Sequence, residues 1–375
     1  MRVNVIGTRG FPNIQGGVEK HCESLYPILA EKDIDIKIFR RKPYIRNRNK
    51  KDFFHRVEFQ DLWTIRNKYF ETILHSIFAA IICIKEKPDV VHIHNIGPSL
   101  ILPLLKLRKL PTIVTYHSQN YTHSKWGRFA REMLKIGEKF VNIFADEVIF
   151  VSKVQEKKFK GTNKTYIPNG VAIPDIAMHS NFLSKIDVDP KKYILTIGRF
   201  APEKGLDILI KAFQKLNNDF RLVIAGDDDF KTEYSQKLKK MIDDDERIIR
   251  TGYITGESLN QIFSHARLFV LPSFQEGMPI ALLEAMSYKL PVLVSDIPAN
   301  KELALPEETF PVGNVEVLSQ RLESFLENPS LLNSPQIIAK KIRRIETEFN
   351  WDVIAEKTAD LYQAIAKMPA KMRKN

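Results

Sequence analysis

At 375 residues, with 44% hydrophobic and 27% charged, the chain is long for one core and comfortable for two, and its 20 prolines lie in no low-complexity tract, which excludes a disordered protein. The net charge of +12 is uneven: residues 1–170 carry 30 Lys+Arg against 16 Asp+Glu, a net +14, while residues 171–375 carry 27 against 29, a net −2. Two cysteines, Cys22 and Cys83, form neither a disulfide framework nor a zinc spacing and read as reduced core thiols of a cytoplasmic protein.

The chain opens on Met1-Arg-Val-Asn-Val-Ile-Gly7, an apolar strand running into a glycine turn with no cleavable signal pattern. Short β-rich runs then alternate with amphipathic stretches, the pattern of a parallel sheet wound with helices. Strands are expected at Val3–Ile6, Ile34–Phe39, Val90–His94, Thr112–Tyr116, Glu147–Val151 and Thr165–Ile167, with helices near 17–31, 69–86, 127–144 and 153–160. The stripe Phe70, Ile73, Leu74, Ile77, Ile81 and Ile84 reads as the core face of its helix. The longest apolar run, Ile77 to Ile84, is far short of the roughly 20 residues a spanning helix needs.

Basic residues concentrate between Lys37 and Arg56, including Arg40, Arg41, Lys42, Arg46, Arg48, Lys50 and Lys51, and again from Lys125 to Lys139. A solvated loop and contact with an anionic membrane or acceptor both fit. Nucleic acid does not, because no zinc-finger or aromatic-interleaved spacing accompanies the charge.

The second half restarts the strand pattern at Tyr193–Ile197, Arg221–Ala225, Ile248–Thr251, Leu268–Leu271 and Val292–Val294. Two Rossmann-like units in tandem follow, an α/β fold divided as 1–172, 173–349, a closing helix at 350–366 and a frayed basic tail at 367–375.

Ligands of open α/β sheets bind at strand C-termini, so the residues just after each strand carry the functional reading. After the first strand, Gly16 and Gly17 let backbone amides approach a phosphate with no Cβ in the way. His117 follows Thr112–Tyr116 and is a candidate hydroxyl or leaving-group contact; His94 is weaker. After Tyr193–Ile197, Arg199 and Lys204 lie five apart around a proline turn and can converge on one polyanion, with Gly205 starting the next helix. After Leu268–Leu271 comes Glu276-Gly-Met-Pro-Ile-Ala-Leu-Leu-Glu284, in which Gly277 and Met278 precede a helix with Pro279 at its first position. Carboxylates eight positions apart lie on the order of 12 Å apart along a helix, too far for a glycosidase pair needing roughly 5–9.5 Å. A ligand with hydroxyl-rich rings at both ends and a diphosphate between them fits, which describes a nucleotide-sugar. Asp227–Asp229 simply follows the strand Arg221–Ala225, Asp243–Asp245 ends a Lys-rich helix and reads as a solvated loop, and no metal is expected.

These residues resemble the retaining GT-B glycosyltransferases of family 4, also called group 1. Gly-Arg-Phe-Ala-Pro-Glu-Lys-Gly at 198–205, the 276–284 segment, Gly16-Gly17, Ile167-Pro-Asn-Gly-Val171 and Phe349-Asn-Trp-Asp352 carry the likeness, and the opening Gly-Thr-Arg-Gly-Phe-Pro with Gly-Gly-Val-Glu19 is similar to bacterial rhamnosyltransferases of surface-polysaccharide assembly. The resemblance implies two Rossmann-like domains facing across a cleft and a last helix crossing back to the first. It implies a nucleoside-diphosphate-sugar donor, a saccharide acceptor and no cofactor or metal; the +14 of the N-terminal half adds the expectation of a lipid-linked saccharide at the cytoplasmic membrane face. By the resemblance, Arg199 and Lys204 hold the diphosphate, Glu276 the donor-sugar hydroxyls, Glu284 the ribose, Gly16 and Gly17 the phosphate side, and His117 sits near the transferred sugar. A nucleotide-sugar epimerase on the same plan and a non-catalytic GT-B-like partner are the rivals. A dehydrogenase is disfavoured because the first turn lacks Gly-x-Gly-x-x-Gly.

Overall fold

The computed structural model describes residues 1–45, 52–67, 70–118, 128–328 and 334–374. Arg46, Arg48, Lys50, Lys51 and Lys125 of the two basic clusters lie outside the described residues, as do the expected helix starts at 69 and 127. Two compact units form, Met1–Asn169 with Trp351–Asn375, and Gly170–Asn350.

Unit 1 is built on an eight-stranded sheet of β1 (Arg2–Ile6), β2 (Asp35–Arg41), β3 (Phe53–Phe54), β4 (Val57–Leu62), β5 (Val90–His94), β6 (Thr112–Tyr116), β7 (Glu147–Phe150) and β8 (Lys164–Tyr166). Their order is β3-β4-β2-β1-β5-β6-β7-β8, parallel except for the β3–β4 hairpin. Unit 2 carries β9 (Tyr193–Ile197), β10 (Arg221–Ala225), β11 (Ile248–Gly252), β12 (Leu268–Leu271), β13 (Val292–Ser295) and β14 (Thr309–Phe310), all parallel, in the order β11-β10-β9-β12-β13-β14.

Central strands such as Val90–His94 and Leu268–Leu271 are buried throughout, which explains their unbroken apolar runs. In unit 1 one face of the sheet packs on helices Gly17–Glu31 and Trp351–Lys367, joining Leu25, Tyr26 and Leu29 to Ile354, Tyr362 and Ile365 in one core. Each such fully buried side chain contributes about 1.5–3 kcal/mol. The other face packs on helices Glu71–Glu86 and Arg128–Phe144.

Four sequence expectations are corrected. Arg40 and Arg41 do not lie in a solvated loop: they end β2, buried, with Arg40 2.7 Å from Asp61 and over the Phe59 ring, and Arg41 2.6 Å from Glu71. Their charges are matched inside the unit by carboxylates from β4 and the following helix, elements the basic run had hidden. The expected core stripe of the helix Glu71–Glu86 holds only in part: Ile84 packs on the core and Ile73 and Leu74 are half-buried, but Phe70, Ile77 and Ile81 are exposed with Phe78, and the buried face is His75, Ser76, Ala79, Ala80 and Cys83. Small side chains let it sit close on a sheet face already filled by Ile6, Phe39, Val91 and Ile93.

The tail is anchored rather than frayed, because its cations find acceptors. The Arg373 guanidinium donates to the carbonyls of Ala366, Met368 and Lys109, and the Lys374 N–H donates to Asp146 Oδ1 at 3.0 Å. Pro279 precedes the helix Ile280–Ser287 as its N-cap, one position earlier than expected.

Candidate active site

In unit 2 the chain winds outward from β9 through β10 to β11, then returns to place β12 on the other side of β9. Such a switch point leaves a crevice at the strand C-termini. Three loops reach it, Gly198–Gly205 after β9, Asp227–Asp229 after β10 and Ser273–Pro279 after β12.

Backbone bonds tie the loops together. The Phe200 N–H donates to the Asp227 carbonyl at 3.1 Å and the Phe274 N–H to the Glu203 carbonyl at 2.9 Å. Gly205 has φ 60°, and a Cβ there would lie 2.3 Å from the Pro272 carbonyl oxygen, so only glycine lets the β9 and β12 loops approach so closely. This brings two predicted site residues together. Lys204 Nζ lies 2.7 Å from Glu276 Oε1, which also accepts from Ser273 Oγ at 2.7 Å. The Arg199 guanidinium lies 2.8 Å from Asp229 and 3.5 Å from Glu203. The Arg199 and Lys204 side chains, both on the loop after β9, keep 31% and 20% of their surface open.

Gly277, Met278 and Pro279 lead from this ion pair into the helix Ile280–Ser287. Ala281 and Glu284, three apart, are its residues that are not buried, which puts Glu284 on the one face a ligand can touch. Of the acidic run after β10, Asp229 pairs with Arg199 while Asp227 and Asp228 pair with Lys239 at 2.8 and 2.9 Å, forming an ion-pair network.

Unit 1 has its own switch point, between β1 and β5, where a Cβ on Gly7 would lie 2.3 Å from the His94 carbonyl oxygen. Gly16 is demanded by an ion pair: its Cβ would fall 2.0 Å from Glu19 Oε2, which Arg9 holds at 3.2 Å. Burial raises the Glu19 carboxyl, but Arg9's charge and hydrogen bonds outweigh it and hold the group below its ordinary value. Gly17 opens the helix Gly17–Glu31, and nothing lies within 4 Å of where its Cβ would stand, so an anion could approach that N-terminus.

His117, just past β6, joins a buried cluster. Its Nε2 lies 2.9 Å from His94 Nδ1, the His94 Nε2 lies 2.5 Å from the Tyr26 hydroxyl, and the His92 Nδ1 lies 2.6 Å from the Tyr362 hydroxyl. His21 stands edge-on to both His94 and His117, its Nδ1 3.0 Å from Asn169 Oδ1. Burial pushes His21 down to about 4 and His92 to about 3, and it drives His94 and His117 well below the ordinary imidazole range. The cluster is therefore neutral at physiological pH. Among the described residues, His21, His94 and His117 form the one group close enough to share a metal ion. Two of its nitrogens are already hydrogen-bonded to each other, so one carries a proton.

Residues 182–344 match the family described as glycosyl transferases group 1, and residues 15–173 match glycosyltransferase family 4. A Bacillus subtilis glycosyltransferase named for teichuronic acid biosynthesis is 27% identical over 293 residues, 74% of this chain and 66% of that protein, just under two thirds of its length. An Escherichia coli UDP-Gal:alpha-D-GlcNAc-diphosphoundecaprenol alpha-1,3-galactosyltransferase is 27% identical over 313 residues, 74% of this chain and 76% of that one. Sucrose-phosphate synthase from Thermosynechococcus elongatus superposes with a TM-score of 0.82 at 21% identity, over 97% of this chain and 98% of that one. Anabaena HepE in complex with UDP-glucose does so with a TM-score of 0.79 at 15% identity, over 97% and 100%.

The chain is a GT-B glycosyltransferase.

Sequence reasoning missed several residues that shape this glycosyltransferase's sites. Ser273 follows a strand and had a signal, the strand C-terminus, but was passed over, and Asp229 was weighed for metal binding and not as a partner of Arg199. Arg9, Tyr26, His21 and His92 act through partners 10 to 336 positions away, as with Arg9–Glu19 and Tyr26–Tyr362, and spacing holds no trace of such contacts.

Proposed function

We propose that this glycosyltransferase takes a sugar from a nucleoside-diphosphate sugar held by unit 2, with retention and without a divalent metal, and transfers it to a lipid-linked saccharide in surface-polysaccharide or glycolipid assembly. The observation that carries the reading is the Lys204–Glu276 ion pair at the β9–β12 switch point, with Arg199 on the same β9 loop. Two preorganised cations beside a helix N-terminus act where negative charge develops on a departing nucleoside diphosphate. They supply the neutralisation a metal would otherwise bring. Glu276, released from Lys204 by the incoming diphosphate, accepts hydrogen bonds from sugar hydroxyls at about 1.5–3 kcal/mol each. Glu284 grips the ribose, and in unit 1 His117 touches a substrate oxygen. The chain's opening favours deoxythymidine-diphosphate-rhamnose, whereas the named relatives favour UDP-sugars, so both belong among the probes.

An anionic bilayer is the proposed setting, supported by the surface of unit 1. Trp63, Phe70, Ile77, Phe78 and Ile81 are all exposed, and Trp63 packs edge-on against Phe78. On the same face of the sheet the helix Arg128–Phe144 presents Arg128, Arg131, Lys135 and Lys139, spaced three or four apart and exposed. Beside it Lys135, Lys139, Lys158 and Lys160 line a crevice of about 410 Å³. Apolar side chains to insert and cations for headgroups together fit a peripheral contact. No described helix is long and apolar enough to cross a membrane.

Transfer to a lipid-linked saccharide carried in anionic or neutral vesicles tests both parts. A glycosylated lipid product is expected, with the protein floating with anionic vesicles at low salt, and Trp63→Ser with Phe78→Ser weakening recovery roughly tenfold. Epimerised donor without acceptor product would overturn the transferase reading. Equal recovery on both vesicle types would overturn the membrane one.

A further inference from the structure

Behind the Glu276 carboxylate, the loop after β12 rests on a buried row of hydrogen bonds that runs back to the next strand. Ser273, just past β12, donates from its Oγ to Glu276 Oε1 at 2.7 Å. The Ser273 carbonyl accepts from the hydroxyl of Ser295, the last residue of β13, which pairs with β12. Ser295 Oγ in turn accepts from Asn300 Nδ2 at 3.0 Å, and the same amide donates to the Ser295 carbonyl at 2.9 Å. Ser273, Ser295 and Asn300 are all fully buried.

The proton directions in this row are fixed by its acceptors, because carbonyls and ionised carboxylates cannot donate. The single Ser295 proton therefore goes to the Ser273 carbonyl, and the single Ser273 proton to the carboxylate that Lys204 pairs with. The Asn300 nitrogen, not its oxygen, faces the Ser295 carbonyl. That orientation leaves Asn300 Oδ1 buried without a partner, a cost borne while the amide holds Ser295. The Ser273–Phe274 peptide is pinned at both ends, its carbonyl by Ser295 and its N–H by the Glu203 carbonyl at 2.9 Å.

Glu276 itself is gripped on one side only. Lys204 Nζ and Ser273 Oγ both meet Oε1 at 2.7 Å, and no described residue hydrogen-bonds to Oε2. Oε2 is not among the buried unpaired atoms, so it is open to solvent.

We propose that Ser273 is a positioning residue, held in place by Ser295 and Asn300, that fixes Glu276 through Oε1 so that Oε2 alone meets the donor sugar. The inference rests on Glu276 holding that sugar. It goes further in naming the oxygen that does so and the buried hydroxyls that aim it. When Lys204 turns to an arriving diphosphate, Ser273 remains to keep the carboxylate oriented. An acceptor held in one direction discriminates between sugars that carry and sugars that lack a hydroxyl there.

Calorimetry on the full chain, with UDP and dTDP and with UDP-galactose, UDP-glucose and dTDP-rhamnose, tests it in Glu276→Ala, Ser273→Ala, Ser295→Ala and the Ser273→Ala/Glu276→Ala double variant. Tyr193→Phe, which removes a buried hydroxyl bonded to the Ile262 carbonyl elsewhere in unit 2, is the control and is expected to bind as wild type does. Ser273→Ala and Ser295→Ala are expected to bind the bare diphosphates within about twofold of wild type. The sugar nucleotide that wild type binds is expected to lose roughly tenfold in Glu276→Ala and in Ser273→Ala, about threefold in Ser295→Ala, and nothing further in the double variant beyond Glu276→Ala. No binding of any sugar nucleotide by wild type, or unchanged affinity for it in Glu276→Ala, would remove the reading on which the inference rests. A weakened Glu276→Ala beside a Ser273→Ala that binds the sugar nucleotide normally, or that loses the bare diphosphate equally, would overturn the inference and leave that reading standing. So would losses that add in the double variant.

Discussion

Replacing Arg199 or Lys204 by alanine is expected to lower sugar transfer by roughly 10²-fold or more, the scale of losing one preorganised electrostatic donor at a site of developing charge. Stability should change less than activity. Both side chains are partly open to solvent and their loops are held by the Phe200–Asp227 and Phe274–Glu203 backbone bonds and by Gly205, though Lys204→Ala leaves the nearly buried Glu276 without its cation and is the more costly of the two. The effect therefore belongs to the transition state. It should appear in kcat as well as in kcat/KM, because the diphosphate is most anionic as it leaves. Steady-state transfer with a thermal scan of each variant checks it. Near-wild-type turnover in both would remove the leaving-group role.

A second large effect concerns acid. His21, His75, His92, His94 and His117 are buried in unit 1, and burial lowers all five, His75 to about 3 with help from the Arg41 charge. In the unfolded chain each titrates near pH 6.5. Below that pH the unfolded chain takes up protons that the folded chain refuses, so stability present above 6.5 is lost as pH falls, down to the folded values near 3 to 4. Between pH 7 and 5.5 each histidine removes about 1 kcal/mol, and the five together remove a large part of the roughly 5–15 kcal/mol that holds a typical domain folded. The thermal midpoint is expected to fall by roughly 10 °C or more over that interval. A midpoint steady to within about 2 °C would mean these imidazoles are not held neutral.

Much of the plan was legible in the sequence. Strands such as Val90–His94 and Leu268–Leu271 announce themselves because both faces are buried, and the residue after a parallel strand is placed at the crevice by topology alone. That is why Lys204 and Glu276, which lie 2.7 Å apart, could both be placed at strand C-termini before any distance was known. What escaped depends on the side of an element that faces inward. Arg40 reads as a surface cation until Asp61 and Phe59 appear beside it, and Ile77 reads as core until Ala79 and Ala80 take the sheet face. The β3–β4 hairpin hides next to a basic run, in strands of two and six residues. The histidine cluster is assembled from β1–β5–β6 pairing and two helices at opposite ends of the chain, and only the folded sheet brings Tyr26, His94 and Tyr362 within reach.

The measurement that bears most directly on the nucleotide-sugar site is a calorimetric titration of UDP, GDP and dTDP and their sugars, with and without magnesium, into the wild-type protein and Glu284→Ala. Binding of one nucleoside diphosphate without metal, weakened roughly tenfold or more by the loss of charge-assisted bonds in Glu284→Ala, is the predicted result. Absence of binding by every nucleotide, or equal affinity in the variant, would contradict the donor site proposed for Arg199, Lys204, Glu276 and Glu284.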